Sequence, residues 1–157
     1  MISGCFSEFA CVCSPNFIDT KHLKTITTES LVAAVKQSKV FVLLLTRELL
    51  TRPWCVLEVY TALENDIPIV PVKIERQRNN YSYGIAAEFL SNLEAYVYDK
   101  DYMKRTFDVP AWSEGEWSEI QSSVKTGERA EHPGNPLTLR IVQDLLAAKL
   151  PALKAEE

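Results

Sequence analysis

The spacing of hydrophobic positions changes several times along this chain, and each change marks an element. From Thr27 or Thr28, either of which can cap a helix, Leu31, Ala34, Val35 and Ser38 recur at helical spacing. The stretch Lys39-Val-Phe-Val-Leu-Leu-Leu-Thr46 is continuously apolar between its ends and one strand long. Strands buried on both faces, in parallel sheets covered by helices, read this way. A second helix follows. Pro53 suits its first turn, where a missing N–H costs nothing, and Val56, Val59, Tyr60 and Leu63 form its apolar face. Ile67-Pro-Ile-Val-Pro-Val-Lys-Ile74 then reads as a second buried strand. Proline cannot donate to a ladder, so Pro68 fits the strand start, and Pro71 requires a bulge or a position whose N–H is not paired.

Helix, buried strand, helix, buried strand is the signature of an α/β fold with a doubly wound, mostly parallel sheet and flanking helices. Crossovers of this kind are right-handed almost without exception. Beyond Ile74 the segment from Glu75 to Tyr83 is a polar loop, and a third helix is expected from Gly84 to about Val97, with Ile85, Phe89 and Leu93 on one face. Asp99 to Trp112 is aromatic and charged without clear period. Glu114 to Val124 reads as a short helix carrying Trp117 and Ile120, and the same region, around Ile120 to Val124, holds the only weak candidates for a final strand. Thr126 to Pro136 is loop by composition. A last helix starts near Thr138, with Ile141, Leu145 and Ala148 in one row, Val142, Leu146 and Leu150 beside it, and Pro151 ending it. No repeat or linker divides the chain, so residues 1–157 are read as one domain.

Composition narrows the function. A chain of 157 residues can bury a core without disulfides or metal. The net charge of −4 argues against a nonspecific nucleic-acid footprint, which needs clustered basic residues. The longest aliphatic stretch, Val40 to Leu45, is far short of the roughly 20 residues a spanning helix needs. The start carries no basic region before an apolar run, and Glu8 interrupts the apolar character there, so no signal peptide is read. Without export, Cys5, Cys11, Cys13 and Cys55 are expected as reduced packing thiols in a cytoplasmic protein. Cys11-x-Cys13 lacks the spacing and second ligand pair of a zinc site, and no metal is expected.

Several chemistries lack their motif. There is no G-x-x-x-x-G-K-[ST] loop, no G-x-G-x-x-G and no nucleophile elbow. His22 and His132 stand far apart in loop-like sequence. Thr46 and Glu75 follow the two apolar strands without forming the acidic cluster of a phosphoryl receiver.

The informative block runs from Glu29 to Ile74. It holds a helix ending in Ser38-Lys39, the apolar strand, a helix start Trp54-Cys55-x-x-Glu58, and an apolar strand with an internal Pro71. In this order and spacing the chain resembles the TIR (Toll/interleukin-1 receptor) domain family. The resemblance is strongest over residues 29–97. It implies a flavodoxin-like TIR fold with an incomplete start over residues 1–28, lacking the first strand and helix, and a divergent part over residues 98–157. Phe9 to Phe17 is the candidate for one strand, and Ile18 to Thr28 for the loop ahead of the first clear helix.

The resemblance implies two functions of different kinds. The preferred one is an intracellular signalling module that associates with other TIR domains, with itself or with an adaptor. In that reading the loop before the first helix is the surface, with Ile18, Leu23 and Ile26 as the apolar residues a partner can bury. The alternative is an NAD+ glycohydrolase, in which NAD+ is a substrate and no cofactor is needed. The family's catalytic glutamate matches Glu58. A fixed carboxylate stabilises the oxocarbenium-like ribose left when nicotinamide departs. Trp54 lies four residues earlier, on the same helix face, where it can form a pocket wall that binds substrate. Against this, Glu58 points away from the Val56–Val59–Tyr60–Leu63 face, where a glutamate is ordinarily solvated, and a large aromatic such as Trp54 ordinarily packs.

Overall fold

The computed structural model describes residues 10–11, 17–18, 27–74, 80–124 and 136–153. Two short strands, β1 (Ala10–Cys11) and β2 (Phe17–Ile18), pair antiparallel, Ala10 with Ile18 and Cys11 with Phe17. Such pairing rules out the single strand expected from Phe9 to Phe17, and it moves Ile18 from the expected loop into β2.

Helix α1 (Thr28–Lys36) begins where the sequence provides a reciprocal cap. The Ser30 amide donates to the Thr27 hydroxyl at 3.2 Å, and the Thr27 amide donates to the Ser30 hydroxyl at 2.9 Å. Two of the donors that a helix start leaves open are thereby satisfied. Thr28, Leu31 and Val35 point inward. The Ser38 hydroxyl donates to the Ala34 carbonyl at 2.9 Å and closes the end.

Strand β3 (Phe41–Leu45) and strand β4 (Ile69–Lys73) form a parallel pair in the register Phe41 to Ile69 through Leu45 to Lys73. The order helix, strand, helix, parallel strand is the α/β arrangement expected from the pattern. Burial departs from the expectation of two fully covered strands. In β3 Phe41, Leu43 and Leu45 are buried, while Val42 and Leu44 on the opposite face are half-buried. In β4 every residue after Ile69 is exposed, with Val70 at 46% and Val72 at 41%. Among the described residues β4 pairs only with β3, so its outer edge is not joined to a further strand there.

That pairing accounts for Pro71. The Phe41 amide donates to the Pro68 carbonyl at 2.8 Å, and the Ile74 amide donates to the Leu45 carbonyl at 3.4 Å. In a parallel ladder the residues of one strand turn their backbone groups to alternate sides. Positions 68, 70, 72 and 74 therefore face β3, and Ile69, Pro71 and Lys73 face outward. Pro71 costs the ladder no hydrogen bond, and no bulge is needed.

Helix α2 (Pro53–Glu64) connects the two strands and opens with Pro53 in its first turn, as expected. Its burial is not confined to one stripe. Pro53 and every residue from Cys55 to Leu63 are buried, Glu58 and Thr61 included. Neighbours on several sides cause this. They are α1, α6 (Glu114–Ser123), α7 (Leu139–Lys149) and the 3-10 turn Leu49–Thr51. The Thr61 hydroxyl is satisfied by the Leu57 carbonyl at 2.8 Å.

The third helix is two helices. Helix α3 (Tyr83–Ser91) stops at Asn92, whose backbone leaves the helical region at φ −132°, and α4 (Leu93–Tyr96) resumes. The aperiodic segment contains α5 (Lys100–Phe107), capped by Asp99, which accepts from the amides of Asp101 and Tyr102 at 3.0 and 2.9 Å. Of the weak strand candidates around Ile120 to Val124, Ile120 to Ser123 are helical within α6, and Val124 is the extended residue that ends it. Ser113 and Glu116 cap that helix reciprocally, and the pattern Ser-x-x-Glu favours this over a strand. No helix among the described residues is long and apolar enough to cross a membrane.

Candidate functional site

The residues singled out by the Trp54-Cys55-x-x-Glu58 pattern sit at the start of α2. Two features fix that start. The Trp112 indole donates to the Thr51 carbonyl at 2.6 Å, and the Thr51 hydroxyl donates to the Glu48 carbonyl at 2.7 Å. Trp54 is half-buried and packs against the core. Cys55 is a buried thiol outside any disulfide, as a packing cysteine should be.

Glu58 corrects an expectation. It is not a solvated surface glutamate but only 7% exposed. Among the described residues no deeply buried side-chain nitrogen or oxygen lacks a hydrogen-bond partner. A helical wheel gives α2 one apolar face with Glu58 off it, whereas Pro53 and every residue from Cys55 to Leu63 are buried.

A crevice opens elsewhere. It is lined by Arg47, Leu50, Tyr81, Ser82, Ile85, Ala86, Phe89 and Phe107 and encloses about 280 Å³, part of it open to solvent. It lies beyond the carboxyl end of β3, the position at which open α/β sheets receive ligands. Arg47 reaches across to donate to the Thr106 carbonyl at the end of α5. Ser82 caps α3 by accepting from the Ile85 amide at 3.4 Å. The Tyr81 ring meets Tyr83 edge to face at 5.3 Å. Neither Glu58 nor Trp54 lines this crevice. The one signal in the sequence that points to it is the place of Arg47, immediately after the apolar strand.

Of the apolar residues expected to meet a partner, Ile18 lies in β2, and Leu23 and Ile26 fall outside the described residues, as do His22, His132, Cys5 and Cys13. Among the described residues the exposed large hydrophobic side chains are Val70, Val72 and Tyr98. Among the described residues no group of three His, Cys, Asp or Glu side chains is placed to hold a metal ion.

Two tyrosines have strongly raised pKa values. Burial pushes the Tyr81 phenol well above its ordinary 10.0, with nearby Tyr83 adding to the effect. Burial also raises Tyr60, reinforced by the negative Glu64, whose carboxylate accepts the Tyr60 hydroxyl at 3.1 Å. Both groups favour the neutral phenol in the folded state, whereas the unfolded chain releases these protons near pH 10. Stability is therefore fully present below pH 10 and is lost as pH rises above it. Urea midpoints are expected to decline above that pH, and Tyr60→Phe with Tyr81→Phe should make the decline shallower. An unchanged slope in the double variant would show that these phenols do not set it.

A family model described as TIR domain matches residues 10–108. No curated protein and no solved structure matches the chain.

Proposed function

The chain belongs to the TIR domain family, and from that premise we propose that it acts as a signalling module through association with other TIR domains, with a second copy of itself or with an adaptor protein. The observation that carries the preference over hydrolysis is the burial of Glu58, 7% exposed within α2. Substrate ribose must touch a catalytic carboxylate. A carboxylate within the buried body of a helix is kept only where hydrogen-bond partners satisfy it, which suits a structural group. The crevice at Arg47 and Tyr81 is not lined by Glu58.

Light scattering over a wide concentration range, with parallel incubation in NAD+ and measurement of nicotinamide, tests this reading. The expected result is concentration-dependent assembly and no nicotinamide release beyond that of Glu58→Ala. Release by the parent chain that Glu58→Ala abolishes, with the variant still folded by circular dichroism, would establish the glycohydrolase instead. A chain that stays monomeric throughout, alone and with other TIR domains added, would refute association.

A further inference from the structure

The outer edge of β4 carries the backbone groups of Ile69, Pro71 and Lys73, because Val70 and Val72 turn theirs to β3. Pro71 stands at the middle of that edge. On both sides of it the strand is exposed and aliphatic, with Val70 at 46% and Val72 at 41%. A short, exposed, apolar edge strand is a template for a further strand, and proteins guard such edges with proline and lysine.

We infer that Pro71 is a block to antiparallel strand addition, placed so that a second copy of this chain cannot join its β4 to this one as a continuous sheet. The hydrogen-bonding pattern gives the reason. Directly opposed residues in an antiparallel pair exchange two bonds, each from an N–H on one strand to a C=O on the other. With β4 against β4 about a two-fold axis centred on Pro71, both central bonds are lost, since neither proline donates. Centring the axis on Val70 sets Pro71 opposite Ile69, and centring it on Val72 sets Pro71 opposite Lys73. Each arrangement loses one bond in each of its two symmetric pairs. No two-fold register that pairs more than a terminal outward residue of the strand avoids the proline. The same residue leaves the internal ladder intact, so the block is obtained without loss to the fold. Lys73 adds a charge to the same edge. The inference is independent of whether the parent chain associates, since it concerns only the mode in which this edge can be used.

Pro71→Val tests it, because valine restores the missing N–H at an exposed position. Sedimentation velocity and the infrared amide band of intermolecular β-sheet, followed over concentration, are the readouts. The variant is expected to form a sheet-joined species at a concentration about thirtyfold lower than the parent, the effect of two recovered hydrogen bonds. Hydrogen exchange on the parent chain gives a second test that needs no variant. The Val70 and Val72 amides should be protected, and the Ile69 amide should exchange quickly at every concentration. Identical sedimentation and infrared behaviour of Pro71→Val and parent would overturn the inference. So would protection of the parent's Ile69 amide that grows with concentration.

Discussion

Replacing Phe89 with alanine is expected to destabilise the fold by about 3–5 kcal/mol, the range for truncating a fully buried aromatic ring. Phe89 has no exposed surface. Its ring lies edge to face with Phe107 at 5.2 Å and stacks with Tyr102 at 6.4 Å, so a single side chain on α3 ties that helix to both aromatic residues of α5. Rings in these arrangements contribute beyond the area they bury. Truncation leaves a void next to the Arg47 crevice, whose wall Phe89 already forms. Domains of this size are stable by about 5–15 kcal/mol, so the variant should sit near the edge of folding. Urea denaturation followed by fluorescence measures this. Phe89→Leu, which keeps most of the volume, should lose much less. Equal, small losses in both variants would mean that the aromatic cluster does not hold α3 and α5 together.

The second large effect is expected at Trp112. Its side chain is 6% exposed, stacks on Trp117 at 5.7 Å, and donates through the indole to the Thr51 carbonyl at 2.6 Å. Its own amide donates to the Val97 carbonyl at 2.7 Å. Trp112 thus pins the start of α2, the helix that carries Trp54 and Glu58, from a part of the chain far along the sequence. Trp112→Ala should cost about 3–5 kcal/mol through lost packing. Trp112→Phe retains a ring but leaves the buried Thr51 carbonyl without its donor, which should cost about 1–3 kcal/mol. The difference between the two variants separates packing from the hydrogen bond. A Trp112→Phe variant as stable as the parent would show that the carbonyl finds another donor.

The succession of elements from Thr28 to Lys73 was legible in the sequence because helical and strand periods are local properties. Thr27 caps, Pro53 opens a helix, and the runs before Thr46 and Ile74 form strands. Burial was less legible because it depends on neighbours contributed by distant segments. The composition of β4 suits a covered strand, yet nothing in Ile69 to Lys73 states that its side chains from Val70 onward would be exposed. Glu58 reads as solvated in the sequence, because a helical wheel does not show that α2 is buried on nearly every side. The divergent later part of the chain packs on α2 through α6 and α7, and Trp112 ties it to Thr51 just ahead of that helix. Smaller departures have local causes that were visible but weak. Asn92 interrupts what the apolar row of Ile85, Phe89 and Leu93 presents as one helix. The buried residues of α5, Tyr102, Met103 and Phe107, do share one helical stripe, but the helix is only two turns long and its stripe is set among further aromatic and charged residues. Its Asp99 cap, with Asp101 early and Lys104 and Arg105 late, was the better signal. The candidate site was legible as a motif, not as a pocket. The pattern located Trp54 and Glu58, but the crevice depends on Arg47, Tyr81 and Phe107, which come together only in three dimensions.

The parallel register of β3 and β4 also governs the order of events when the chain folds. An antiparallel pair can zip from a tight turn, but here Phe41 cannot meet Ile69 until the whole connection through α2 has doubled back. The entropy of closing that loop must be met before the first inter-strand bond forms. Helix α2 lies in that connection, and forming it shortens the loop to be closed. Substitutions inside it should therefore act on the rate of folding, while those in α5 should act chiefly on the rate of unfolding.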